Sequence, residues 1–299
     1  MAPGLSWIVT DPQVRDLYEN RPGLVAFVDE SYRTIPQVGS IYLMTAVIAD
    51  TRDLNDYRRT LVQGIGSNTF HAAPDQHRNP QGRDNIDIIN ALTAQRSPTL
   101  ASVYLGHDNL NNETVNIRIR HGVLRSLAIE LHHTYGVDTI IADHLFDARR
   151  HRHDDAAIAQ ARQTTRADIQ LLHSHPGREQ MLWAADATAW AIQHDLATPA
   201  PRNWENRTGI LGDALTIMNA HTRRTMARPV APAPDTPQKY PLLRQALRTQ
   251  ASATIAAQAR AAEQHCREMD HKRRRRAAEN ARQRRPRIGG GRARRLKPR

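Results

Sequence analysis

An apolar run, Val25-Ala26-Phe27-Val28, climbs straight into two carboxylates and a hydroxyl, Asp29-Glu30-Ser31. A second apolar run, Thr139-Ile140-Ile141-Ala142, ends on Asp143, and a third acid, Asp186, is set inside Met181-Leu182-Trp183-Ala184-Ala185-Asp186-Ala187. An unpaired charge beside a core neutralises or destabilises the fold. Acids recurring in this way point to a shared partner, and a divalent cation is the usual one. Oxygen ligands of this kind select Mg²⁺ or Mn²⁺ over zinc. Carboxylates at the ends of neighbouring strands, joined by one from a packed helix, suit a metal-assisted attack of water on a phosphodiester. In a continuing strand Asp29 and Glu30 project to opposite faces, with Asp29 following Val25 and Phe27 on one of them.

Histidine adds proton chemistry. His71 and His144 are candidates for proton shuttles or for donors to the acids. His151 with His153, and His173 with His175, have the spacing of paired zinc ligands. The first pair lies in Arg149-Arg150-His151-Arg152-His153, a run that repels a cation. Ser31 has no G-x-S-x-G around it, so a hydrogen bond to a neighbouring carboxylate is its expected role. Neither a P-loop nor a G-x-G-x-x-G is present.

The elements that must position these residues follow from periodicity. Residues 24–28 and 41–49 read as strands of a hairpin, the second covered on both faces. A helix is expected from 51 to about 64, then a long loop over 64–85, a helix over 86–92 and a strand over 100–105. Asn111 or Asn112 caps a long helix that ends at Gly136. A short strand over 137–142 delivers Asp143. A polar helix over 154–167, a strand over 169–173 and a helix opened by Pro176-Gly177 follow. This order predicts a mixed central sheet flanked by helices.

Charge divides the chain further. Residues 272–299 hold 14 of the 42 Lys and Arg and one acid, Glu279, so the other 271 residues carry 28 basic and 29 acidic side chains. The formal net charge of +12 therefore belongs to the C-terminus. The division expected is an α/β domain over 1–225, a Pro-rich linker over 226–241, an Ala/Arg-rich helix over 242–285 and a disordered basic tail over 286–299. Lys272, Arg273, Arg274, Arg275, Arg276, Arg284 and Arg285 are the expected contacts to DNA or RNA phosphates. One cysteine, Cys266, permits no internal disulfide, and no apolar run reaches the roughly 18 residues of a membrane span. With no secretory signal visible, a cytoplasmic location is expected.

Phe27-Val28-Asp29-Glu30-Ser31, followed by the apolar strand from Tyr42 to Ile48, resembles the opening of the domain of unknown function 3800 family of bacterial and phage proteins. Gln180-Met181-Leu182-Trp183-Ala184-Ala185-Asp186-Ala187-Thr188-Ala189-Trp190 is similar to that family's closing helix. Phe70-His71 is similar to a histidine at the start of its variable loop. The resemblance covers about residues 24–196. It implies an RNase H-like fold, with Asp29, Asp143 and Asp186 as metal-site candidates and Glu30 and His71 beside them as catalytic candidates. RNase H-like nucleases usually add a glutamate from the first long helix, which here offers Glu113 and Glu130. The resemblance implies a Mg²⁺- or Mn²⁺-dependent nuclease. The other class open to this sequence is a non-catalytic nucleic-acid-binding protein.

Overall fold

The structure is a computed structural model that describes residues 11–65, 70, 72, 83–144, 148–197 and 207–226. These lie in the first of two units into which the chain divides, Met1–Arg248. His71, most of the 64–85 loop, the Pro-rich linker, the 242–285 helix and the basic tail lie outside the described residues.

The strands are β1 (Leu24–Ile35), β2 (Gly39–Asp50), β3 (Thr99–Gly106), β4 (Thr139–Asp143), β5 (Gln170–Ser174) and β6 (Leu215–Asn219). The helices are α1 (Pro12–Asn20), α2 (Leu54–Ile65), α3 (Arg83–Ala94), α4 (Glu113–Tyr135), α5 (Ala148–Thr165) and α6 (Met181–Ala197). One sheet runs in the order β5-β4-β1-β2-β3-β6. β1, β2 and β3 form an antiparallel meander; β4 is parallel to β1, β5 to β4 and β6 to β3. The expected mixed sheet flanked by helices is therefore present.

Alternation along the strands builds two cores. Val25, Phe27, Leu43, Val47, Val103 and Ile141 face one layer, covered by α2, α3 and α6. Ala26, Val28, Met44, Ile48, Ile140 and Ala142 face the other, covered by α4 and α5. Buried on both faces, β2 is solid apolar chain for the reason inferred from its composition. α6 is buried nearly all round, as an apolar helix between a sheet and other helices must be. Its alanines let it approach the sheet closely, and the Thr45 hydroxyl on β2 donates to the Ala185 carbonyl at 2.7 Å.

α4 is capped by Asn112, whose side chain accepts from the Val115 N–H, and ends at Gly136 in the left-handed region at φ 67°. Several boundaries depart from expectation. β1 runs on through Asp29-Glu30-Ser31 to Ile35, so these acids sit within a strand and not at its end. α5 starts at Ala148, which places the arginine-histidine run in its first turns. α6 begins at Met181, a few residues after Pro176-Gly177. α1 and β6 carry too little pattern to be read from sequence. Among the described residues no helix is long and apolar enough to cross a membrane.

Candidate active site

Strand register brings the acids together. Val25 to Val28 of β1 pair in parallel with Thr139 to Ala142 of β4, so Asp29 and Asp143 occupy the next positions of neighbouring strands. Both follow residues of the α6-facing core, Phe27 and Ile141. Asp29 is also opposite Thr45 of β2, the residue whose hydroxyl holds the Ala185 carbonyl. That contact sets Asp186, the next residue of α6, over the same part of the sheet. The Asp186 carboxylate accepts from the backbone N–H of Ala72 at 2.8 Å, so the chain just after His71 returns to this point.

Electrostatics report the same convergence. Burial, then the charges of Asp186 and Asp143, hold the Asp29 carboxyl well above the ordinary carboxylate range. Burial raises Asp143 as well; Asp186 and Glu30 add to the rise, while the His144 backbone N–H and the His175 ring oppose it. Among the described residues neither Asp29 nor Asp143 has a salt bridge. One Asp143 oxygen, Oδ1, is buried with no hydrogen-bond partner in the protein. The hydroxyl of Ser174, register partner of Asp143 on β5, is buried and unpartnered too.

Buried acceptors beside mutually repelling carboxylates fit a hard divalent cation by charge and donor type. Asp29, Asp143 and Asp186 are the residues that would hold it. As they stand, no three His, Cys, Asp or Glu side chains among the described residues are grouped tightly enough to bind an ion.

Glu30 belongs to the other layer. Its carboxylate accepts from the Tyr42 hydroxyl and from Arg120, and lies 3.7 Å from Arg150. Arg120, 2% exposed, also makes two bonds of 2.8 Å to Asp154. Glu30 is therefore the anchor of a buried ion network on the face away from Asp29's core, where its sequence position beside Asp29 had placed it in the catalytic set. Neither long-helix glutamate completes the acid cluster. α4 packs in Glu30's layer, with Glu113 at its first residue and Glu130 bonded to Thr134.

The second histidine pair is split by the end of β5 at Ser174, which leaves His173 in the strand and His175 beyond it. His173 turns to Asp154 at 3.0 Å and stacks on His151, ring centres 4.2 Å apart. His175, exposed in the β5–α6 connection, affects Asp143 instead. With His144, Ser174, Arg178 and Asp11 it lines a cavity of about 440 Å³. Reading His173 and His175 as a ligand pair hid this placement. The signal available was Pro176-Gly177, which stops the strand before the two-residue spacing can put both rings on one face.

The strand order, an antiparallel three-stranded meander extended by two parallel strands and covered by helices on both faces, is RNase H-like. The chain matches no family model and no curated protein. Among solved structures it is similar to the crystal structure of a point mutant of Bst-RNase HIII, at 12% identity and a TM-score of 0.33, over 56% of this chain and 51% of that one. The chain thus spans about half the length of that protein. A likeness so distant carries no argument about chemistry, and the architecture rests on the strand order itself.

Proposed function

We propose that this chain is a Mg²⁺- or Mn²⁺-dependent hydrolase of nucleic-acid phosphodiesters, related to the domain of unknown function 3800 family and working in the cytoplasm. The observation that carries this reading is the acid cluster. Beyond burial, the charges of Asp186 and Asp143 raise the Asp29 carboxyl and that of Asp186 raises Asp143, with no salt bridge to Asp29 or Asp143 among the described residues. Asp29, Asp143 and Asp186 would hold a divalent cation, which when bound would supply positive charge and lower the pKa of a water for attack on phosphorus. Exposed His175, beside Asp143, is placed to pass a proton to the departing oxygen. The basic C-terminus, Lys272 to Arg276 with Arg284 and Arg285, supplies salt-sensitive affinity for DNA or RNA without reading sequence.

The test is cleavage of single- and double-stranded DNA and RNA by the full chain in Mg²⁺, Mn²⁺ or EDTA. Asp29→Asn keeps size and hydrogen bonding but removes charge. It should lower cleavage by orders of magnitude while affinity stays nearly intact. The other reading is a non-catalytic nucleic-acid-binding protein. Wild type inactive on every substrate with Mn²⁺ selects that reading.

A further inference from the structure

We propose that the groove between the first turns of α4 and α5 binds the phosphodiester backbone of a nucleic acid, as a contact separate from the carboxylate cluster. The proposal rests on the nucleic-acid reading above but not on cleavage. The groove encloses about 500 Å³ and is lined by Glu113, Thr114, Ile117, Arg118 and His121 of α4 and by Arg149 and His153 of α5. Four of these seven side chains are basic types and one is acidic. The chain before residue 272 is nearly neutral, so the enrichment is local.

A second observation is independent of the cavity. α5 opens on Ala148-Arg149-Arg150-His151-Arg152-His153, with no acid in its first turn. The N-terminus of a helix carries positive partial charge and favours anions. Cationic side chains there add to the positive potential that the helix end presents to an anion. Arg150 is engaged with Glu30 at 3.7 Å. Arg149 and His153 are exposed on the groove side. Arg118 pairs with Asp108 at 3.2 Å, but its side chain is 71% exposed, and a surface pair of that kind exchanges readily for a phosphate. Its planar fork suits two phosphate oxygens.

Topology places the groove beside the acids. β1, β3 and β4 run in the same direction. α4 follows β3, and α5 follows β4, whose last residue is Asp143. Both helix N-termini therefore lie at the edge of the sheet that carries Asp143. Arg150 links the two places, since its partner Glu30 is the residue after Asp29. A strand held in the groove passes along that edge.

The experiment measures binding of labelled single-stranded DNA and RNA oligonucleotides to the full chain in EDTA, across a range of salt. Each phosphate contact on a single strand contributes about 0.7 to the slope of log affinity against log salt. The Arg118→Gln/Arg149→Gln pair should lower that slope by about 1.4. A control pair, Arg15→Gln/Arg125→Gln, removes the same charge outside the groove and should leave the slope unchanged. If the groove pair melts early, Arg149→Gln alone carries the test with half the change. An unchanged slope, or an equal fall in the control, overturns the proposal. So does stabilisation by inorganic phosphate that the groove pair loses while oligonucleotide binding stays the same, because the groove would then hold a free phosphate. With EDTA present cleavage plays no part. An inactive wild type with a lost contact keeps the groove and drops the hydrolase; an active one with an unchanged slope does the reverse.

Discussion

Asp29 and Glu30 are consecutive residues of one strand, and the two faces of the sheet treat them oppositely. On Glu30's side both carboxylates are answered: Arg120 bridges Glu30 and Asp154, Tyr42 donates to Glu30, and the Asp154 carboxylate accepts from His173. On Asp29's side the nearest charges are other carboxylates. Burial is common to both faces; what differs is the counter-charge. A carboxylate answered within the protein is part of the scaffold. A carboxylate whose neighbours are carboxylates is completed from outside the protein, or by protons.

The sharpest way to break this comparison is to remove the counter-charge on the satisfied side. Arg120→Met keeps an unbranched apolar stem but takes the arginine from the fully buried Asp154 and leaves Glu30 with Arg150 alone, at 3.7 Å. Breaking a buried pair from one side costs about 3 to 5 kcal/mol. Urea denaturation should show a loss of that size, and Asp154→Asn should recover part of it in the double variant. A loss below about 1 kcal/mol would mean that the network is solvated and that the two faces do not differ in kind.

The next largest effect sharpens the comparison from the other side. If Asp29, Asp143 and Asp186 share a cation, Mg²⁺ or Mn²⁺ stabilises the folded chain by mass action, by about 1.4 kcal/mol at a tenfold excess over the dissociation constant. For a domain of this size that is a rise of roughly 3 to 6 °C in melting temperature. Asp186→Ala should abolish the rise. Glu30→Gln should weaken the fold but keep the metal response, because Glu30 serves the other layer. An equal response in wild type and Asp186→Ala would sink the shared site.

Much of this was legible, and the gaps have physical causes. The apolar approach to Asp29 and Asp143 and the acid inside an apolar helix identified the cluster. Alternation placed Asp29 and Glu30 on opposite faces. Glu30's partner was not legible, because Arg120 lies 90 residues away and looks like any arginine on an amphipathic helix. The start of α5 was missed because arginine and histidine in a first turn contradict the dipole rule that marks helix starts. β6 was missed because five residues carry little periodicity and its pairing with β3 is remote in sequence. For His175 the two-residue spacing to His173 drew attention to a metal pair, when the end of β5 at Ser174 separates the two rings. The resemblance to a family supplied the third strand of the argument, that Asp29, Asp143 and Asp186 belong together; the register of β1 with β4 and the Thr45–Ala185 contact now give that grouping a physical basis.

The smallest effect is a difference of sign. Asp29 and Asp143 have folded-state pKa values raised above those of the unfolded chain. Their contribution is fully present below the ordinary aspartate value of about 3.9 and is lost as pH rises through the raised values. Asp154 is lowered: burial raises it, but His173 and Arg120 outweigh that. Its contribution is present above about 3.9 and is lost as pH falls through the depressed value. The two faces therefore pull stability in opposite directions across the acid range. In EDTA, Asp29→Asn removes one rising penalty, so its melting temperature relative to wild type should climb from pH 4 towards neutrality. Asp154→Asn should show the reverse trend, falling further behind wild type as pH rises from the acid end. Mg²⁺ should shrink the first trend and leave the second untouched, since a cation at Asp29 replaces the proton there. Parallel curves for the two variants would mean that both faces titrate alike, and the contrast between an answered and an unanswered carboxylate would fail.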